Sequence, residues 1–260
     1  MQAVRGEAEV ALASGHQTLD AGAQVFLAAY RTPPWRGELQ AFGVDPQGRL
    51  QPRPDWEAGQ VLQGVDPTQR LIWTHDGQRG VRFEWAALSA GQRDLLKGEP
   101  SAPDVEGTLR LRYLRGDRTA EAQRGGRLRD RDTLLGDIVH SAPWWVGAPQ
   151  PGRPEPGYPA FVQQHRSRPG MVYVGANDGM LHGFSVVDGR ERLAYVPLGA
   201  WPQLRVLTEP ADPHRYSVDG GLMSGEVLDA GTWKTLLLGT LPWTLPLLRG
   251  LGLAVPEQVR

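Results

Sequence analysis

Six histidines, His16, His75, His140, His165, His182 and His214, are the side chains of this chain best suited to bind a metal or move a proton near neutral pH. Their spacing shows no HxH or HExxH pattern. A zinc site needs three or four converging ligands. His140, His182 and His214 could supply three of them only if strands brought them together, and packed or half-exposed strand histidines are the favoured reading. Calcium needs acidic or amide oxygens at alternate positions around a glycine. Asp130-Arg131-Asp132 is a single alternation, and Asn177-Asp178-Gly179 is too short. Asp137, Asp178, Asp188 and Asp219 are separated carboxylates at turns or strand ends, where capping and turn formation account for them. Ser224, in Gly221-Leu222-Met223-Ser224-Gly225, stands one place late for a nucleophile elbow. There is no P-loop, and Gly250-Leu251-Gly252 lacks the third glycine of a dinucleotide fingerprint. No catalytic, cofactor-binding or metal-binding residue is assigned on these grounds, and a non-enzymatic chain is expected.

Binding chemistry is equally sparse. Arg110 to Arg131 holds eight arginines against three acids, yet only Tyr113 interleaves an aromatic ring, so a solvated face is favoured over a nucleic-acid contact. Net charge is -1, from 28 basic and 29 acidic residues, which argues against a dominant nucleic-acid or membrane-surface role. Trp144, Trp145, Trp201 and Trp233 are expected to fill wedges between sheets, with a sugar- or host-binding aromatic patch as the sharper alternative. Cysteine is absent, which removes disulfides and thiolate chemistry. The longest apolar run, Leu236 to Leu248, is broken by Pro242 and Pro246 and too short to span a bilayer. Met1 to Leu12 has no signal-peptide pattern.

The elements that would position these residues are mostly strands. The 33 Gly, 22 Pro and 9 Trp favour an all-β, turn-rich fold. Met171 to Gly175, Leu181 to Val186 and Glu191 to Val196 read as three antiparallel strands, joined at Asn177-Asp178-Gly179 and Asp188-Gly189. Val25 to Tyr30 and Gly37 to Val44 pair around Pro33-Pro34, and Leu71 to Thr74 pairs with Val81 to Trp85. Leu134 to Val139 reads as a strand, as do 215–218, 222–228 and 232–238. Ser89 to Lys97 is a helix with a Ser89/Gln92 capping box and Gly98 as its stop, and Leu109 to Leu114 is a second, short one. Five prolines between Pro149 and Pro159 imply an extended loop, and residues 1 to 20 show no period.

Several of these segments together resemble the PilC/PilY family of type IV pilus assembly and adhesion proteins. The strongest is Val172-Tyr173-Val174-Gly175-Ala176-Asn177-Asp178-Gly179-Met180-Leu181-His182, followed by Ala194-Tyr195-Val196-Pro197. Leu134 to Pro143, Tyr113 to Arg118 and His214 to Gly220 add to it, with Trp35 to Phe42 and Phe83 to Ser89 upstream, all in the same order. The resemblance implies an all-β propeller with quinoprotein-like blades, here an incomplete ring of the first few. It places a lead-in at 1–20, the propeller at 21–239 and an aberrant tail at 240–260, where two prolines four apart suggest a frameshift or truncation. It further implies a cell-surface, pilus-associated role in pilus assembly, adhesion and twitching motility. The implied partners are pilin or minor pilins and a host or abiotic surface, and calcium is bound by related full-length proteins. A quinoprotein-type oxidoreductase and an outer-membrane assembly scaffold are the alternatives. An incomplete ring exposes sheet faces and edges, so poor solubility of the isolated chain is expected.

Overall fold

The computed structural model describes residues 10–14, 23–32, 35–211, 214–241 and 253–254. His16, Pro33-Pro34, Gly250-Leu251-Gly252 and most of the expected aberrant tail lie outside the described residues.

Strands are laid down as antiparallel meanders, one after another along the chain. The first comprises β1 (Val10–Ser14), β2 (Gln24–Arg31), β3 (Arg36–Gly43) and the short β4 (Trp56–Glu57), paired in that order. Phe26 and Ala28 on β2 and Leu39 and Ala41 on β3 are buried at period two, as a sheet with one covered face requires. The strand β1 falls within the stretch read as having no period.

A helical excursion follows. The helix α1 (Ala58–Gln63) is capped by the Glu57 carboxylate, which accepts from the N–H groups of Gly59 and Gln60 at 2.8 and 2.7 Å. Then come β5 (Ile72–His75), β6 (Gly80–Arg82), α2 (Ala90–Lys97) and α3 (Asp104–Leu114). The expected capping box of α2 is present, and Gly98 ends the helix at a φ of 97°. The helix α3 starts five residues before the expected Leu109, with Asp104 and Glu106 in its first turn facing the positive end of the helix dipole.

The second meander is β7 (Trp144–Val146), β8 (Met171–Gly175), β9 (Leu181–Ser185) and β10 (Glu191–Val196), with α4 (Tyr158–His165) inserted between β7 and β8. The hairpin β5–β6 adds to its outer side, β5 running parallel to β10, and makes six strands in all. That arrangement covers an otherwise open strand edge. Every residue of β8 and β9 is buried, because both faces of the sheet are packed. After α5 (Trp201–Leu204) the chain forms a third sheet from β11 (Leu222–Asp229), β12 (Thr232–Gly239) and β13 (Leu253–Ala254). Among the described residues these sheets do not close into a ring.

Two cores hold the sheets together. Phe26, Leu39 and Trp56 of the first meander meet Val172, Val174 and Phe184 of the second. The other face of the second meander, with Tyr173, Leu181 and Leu193, packs on helix residues Leu96, Leu111 and Leu204 and on Leu237 of β12.

Two expected strands are absent. Residues 134–139 and 215–218 form no strand and contain bends, at 134, 135 and 139 and at 218. Their N–H groups bond to side chains and turns instead of a neighbouring strand: Gly136 to the Asp178 carboxylate, Val139 to that of Asp219, and Ser217 to the Asn177 amide. The proline-rich loop also ends earlier than expected, since α4 begins at Tyr158 with a proline in its first turn, where no backbone donor is lost.

Candidate functional site

The turn joining β8 to β9 is the centre of the polar architecture. Only Gly179 in it has a positive φ, 92°. Asn177 and Asp178 contribute through their side chains. Asp178 accepts from the N–H of Gly136 at 2.9 Å and of Met180 at 3.1 Å, and its Oδ2 lies 3.0 Å from His182 Nε2. The other ring nitrogen of His182 lies 2.8 Å from Glu191 Oε1. Glu191 in turn binds Arg70 at 2.7 and 2.8 Å, and Arg70 Nη1 donates to the carbonyl of Arg115 at 2.8 Å.

The His182, Glu191 and Arg70 side chains are almost wholly buried, so their charges must be compensated locally. Burial disfavours the charged imidazole of His182, but Asp178 and Glu191 outweigh it and push the group up to about 9. Burial works against the Glu191 carboxylate too; Arg70, then His182, outweigh it and hold the carboxyl far below its ordinary range. Asp178 is lowered in the same way, burial being overcome chiefly by His182. This row of alternating charges fastens the hairpin turn, β10 and the helical excursion to one another.

A second polar cluster shares the same turn. Asn177 Nδ2 donates to Asp137 Oδ2 at 2.7 Å and its carbonyl accepts from Ser217 N–H at 2.7 Å. Asp219 accepts the N–H groups of Val139, His140 and Ser141 at 3.0, 2.8 and 3.1 Å, and its other oxygen lies 2.9 Å from His140 Nδ1. His214 Nε2 lies 2.6 Å from Asp137, and the His214 ring stacks on Trp35 at 3.6 Å. Tyr216 stands between the rings of His140 and His214, with centroids 4.9 and 5.0 Å away.

The histidines weighed as zinc ligands thus divide among different carboxylates. His182 has both ring nitrogens occupied, which leaves no lone pair for a metal. His75 accepts the N–H of Gly77 inside a hairpin turn, and His165 packs on Phe161. Among the described residues no group of three or more His, Asp or Glu is placed to hold a metal ion. Among the described residues these three carboxylates do not offer a calcium cage, because the buried Asp137 and Asp219 and the part-buried Asp178 already accept from N–H or imidazole groups. Ser224 accepts from Trp144 Nε1 at 2.9 Å, a structural contact between the second and third sheets. Asp188 accepts the N–H of Arg190 at its own turn.

The arginine-rich stretch is mostly paired. Arg110 binds Glu209, Arg112 binds Asp117, Arg118 and Arg131 share Glu121, and Arg127 binds Glu106. Arg115 is buried with no carboxylate and donates to the carbonyls of Phe83, Pro67 and Arg70 at 2.9, 3.0 and 3.0 Å. The tryptophans do not gather into one patch. Trp201 is in the helix-side core with its Nε1 on Thr74, and Trp233 donates to the Pro156 carbonyl. Sequence reasoning missed Arg70 and Glu191; the available signal was an acid at the start of a strand whose last four residues are all buried.

Beside both clusters opens a cleft of about 90 Å³, lined among others by Trp35, Tyr113, Arg129, Asp137, Asn177 and Asp178.

Residues 135–245 match the PilY1 beta-propeller domain. Over 254 residues, 89% of this chain, it is 32% identical to the type IV pilus biogenesis factor PilY1 of Pseudomonas aeruginosa strain PAK. The chain belongs to the PilY1 β-propeller family. A PilY1 homolog of Xylella fastidiosa strain Temecula1 is 34% identical over 239 residues, 88% of this chain. The chain spans about a fifth of these relatives' length, 22% and 18% respectively. No solved structure matches it. Strands β7 to β12, of the second and third sheets, lie within this propeller domain and form its blades, and Asp137, Asn177, Asp178, His182, Glu191 and Asp219 also fall within it. Trp35 and Arg70 lie before it, in the turn between β2 and β3 and in the helical excursion.

Proposed function

We propose that this chain is the propeller portion of a type IV pilus biogenesis factor, acting as a binding and assembly module rather than as an enzyme. The observation that carries the reading is 32% identity to PilY1 over 89% of the chain. The physical mechanism is presentation of loops on a rigid β scaffold. Its buried charged side chains bond to each other and to backbone groups, which suits a scaffold. The proposed partners are pilin or minor pilins, with a host or abiotic surface as the target of adhesion. The proposed setting is the pilus at the cell surface, where the protein supports assembly and twitching motility.

The test is deletion of the whole gene, with complementation by the wild-type allele. Loss of surface pili by electron microscopy and of sheared pilin, restored by the wild-type allele, is expected. Normal piliation and twitching in the deletion strain would overturn the reading.

A further inference from the structure

Met171, Met180 and Met223 are the methionines among the described residues, and the fold treats the third differently. Met180 is 1% exposed, and its thioether accepts from Arg70 Nη2 at 3.9 Å, inside the row of alternating charges. Met171 is 8% exposed on β8, and its methyl group lies 3.3 Å from where a Cβ on Gly183 would stand. Both belong to the helix-side core. Met223 is 56% exposed.

The surroundings of Met223 explain that exposure. Its strand β11 is an edge of the third sheet and is flanked within it by β12. Residues two apart share a face of a strand, and those beside Met223 are Gly221 and Gly225. A Cβ built on either glycine would meet nothing within 4 Å. The thioether therefore stands open on both sides along its own chain. Across the ladder its register partner is Leu238, itself 37% exposed, and Leu236 and Val227 continue the face.

We propose that Met223 is a site of reversible oxidation by hydrogen peroxide, which turns this apolar face polar. The sulfur attacks one oxygen of the peroxide, so that an S–O bond forms and the O–O bond breaks. Sulfur gives up two electrons and the peroxide is reduced. The proton of the attacked oxygen moves to the leaving hydroxide, which departs as water. The product is a sulfoxide, a polar and chiral group in place of a flexible apolar one. Gly221 and Gly225 leave room for the added oxygen, so no packed neighbour has to move. A sulfoxide reductase reverses the step, a dithiol supplying the two electrons and leaving as a disulfide while the oxygen departs as water. This site stands independently of the pilus reading.

The test exposes the intact 260-residue chain to hydrogen peroxide, in native buffer and in urea. Oxygen uptake at each methionine is mapped by peptide mass spectrometry, and surface apolarity is read by hydrophobic-interaction chromatography. In native buffer Met223 is expected to react at least about tenfold faster than Met171 and Met180, because buried groups react only when the fold opens. In urea the three are expected to react alike. Retention on the column is expected to fall as Met223 is oxidised and to recover with sulfoxide reductases and a dithiol. Met223→Leu keeps an apolar side chain at an exposed position, so the variant folds and its retention stays constant over the same interval. Native oxidation of Met171 or Met180 as fast as Met223 overturns the proposal. So does retention that is unchanged once Met223 is fully oxidised, or that falls equally in Met223→Leu.

Discussion

Asp219 Oδ2 lies 2.9 Å from His140 Nδ1 while Asp219 Oδ1 takes the backbone N–H groups of Val139, His140 and Ser141. One carboxylate, 1% exposed, therefore fastens the chain entering the second blade to the chain entering the third, 79 residues later for the His140 pair. The segment 139–141 bends and belongs to no strand ladder that could satisfy those donors, and the carboxylate takes that part.

Removing that acceptor leaves the buried N–H of Ser141 and the part-buried ones of Val139 and His140 without a partner, a fully buried donor costing about 1–3 kcal/mol. Asp219→Ala is expected to destabilise the protein by about 2–4 kcal/mol, from the donors left without an acceptor. Asp219→Asn, which keeps an acceptor oxygen, is expected to cost less than half of that. Urea denaturation of both variants checks the ordering; equal losses would show that the carboxylate's N–H acceptance is not the main contribution.

The buried histidine sets a pH dependence. The folded-state value of His182 is raised, from 6.5 to about 9. Its contribution is thus complete below pH 6.5 and is lost as pH rises through 9. The size is about 3 kcal/mol at full effect. Glu191 and Asp178 are shifted the other way, so their contributions are present above their ordinary values of 4.5 and 3.8 and fade as pH falls below them. Unfolding free energy is expected to decline from neutrality to about pH 9.5, and His182→Gln is expected to flatten that limb. A limb of unchanged slope in the variant would assign the alkaline loss to other groups.

Close backbone approach is a third constraint. A Cβ on Gly37 would stand 2.1 Å from the carbonyl oxygen of Gly136, and one on Gly136 would stand 2.4 Å from the Asp178 nitrogen. Neither neighbour is a flexible side-chain end, so the first sheet, the 134–139 segment and the hairpin turn would have to separate. Gly136→Ala is expected to cost about 3 kcal/mol or more, the upper end of ordinary overpacking. Gly225→Ala is the control: it sits in β11 with open space around it and is expected to gain roughly 0.5–1 kcal/mol. Thermal melts of the two variants moving in the same direction would refute the assignment.

Much of this arrangement is legible locally, and the rest depends on distant partners. Strands β8 to β10 follow from β-branched and aromatic runs between glycine turns, and α2 follows from Ser89, Gln92 and Gly98. The helices α1, α4 and α5 escape because they are short and begin with unusual residues, such as the left-handed Gly157 before α4. Residues 134–139 and 215–218 have strand-like composition, but their N–H partners are side chains and turn carbonyls 40 to 80 residues away, which no local pattern reveals. His140, His182 and His214 were recognisable as a set by type. That each would take its own aspartate, rather than share a metal, is decided by tertiary contacts: Asp219, Asp178 and Asp137.

The third sheet presents exposed apolar residues on one face, uncovered among the described residues. Met223 and Leu238 are register partners on β11 and β12, 56% and 37% exposed, and Val227 and Leu236 continue the same face. The opposite face is packed, with Leu237 in the core and Thr235 bonded to Arg168. An exposed flat sheet of this kind drives association. The double variant Met223→Lys with Leu238→Thr is expected to lower concentration-dependent association of the 260-residue chain in sedimentation and light scattering. Its unfolding free energy should stay within about 0.5 kcal/mol of wild type, as for surface substitutions away from packed features. Association that persists in the variant would place the sticky surface elsewhere, and a large loss of stability would show that this face is packed in solution.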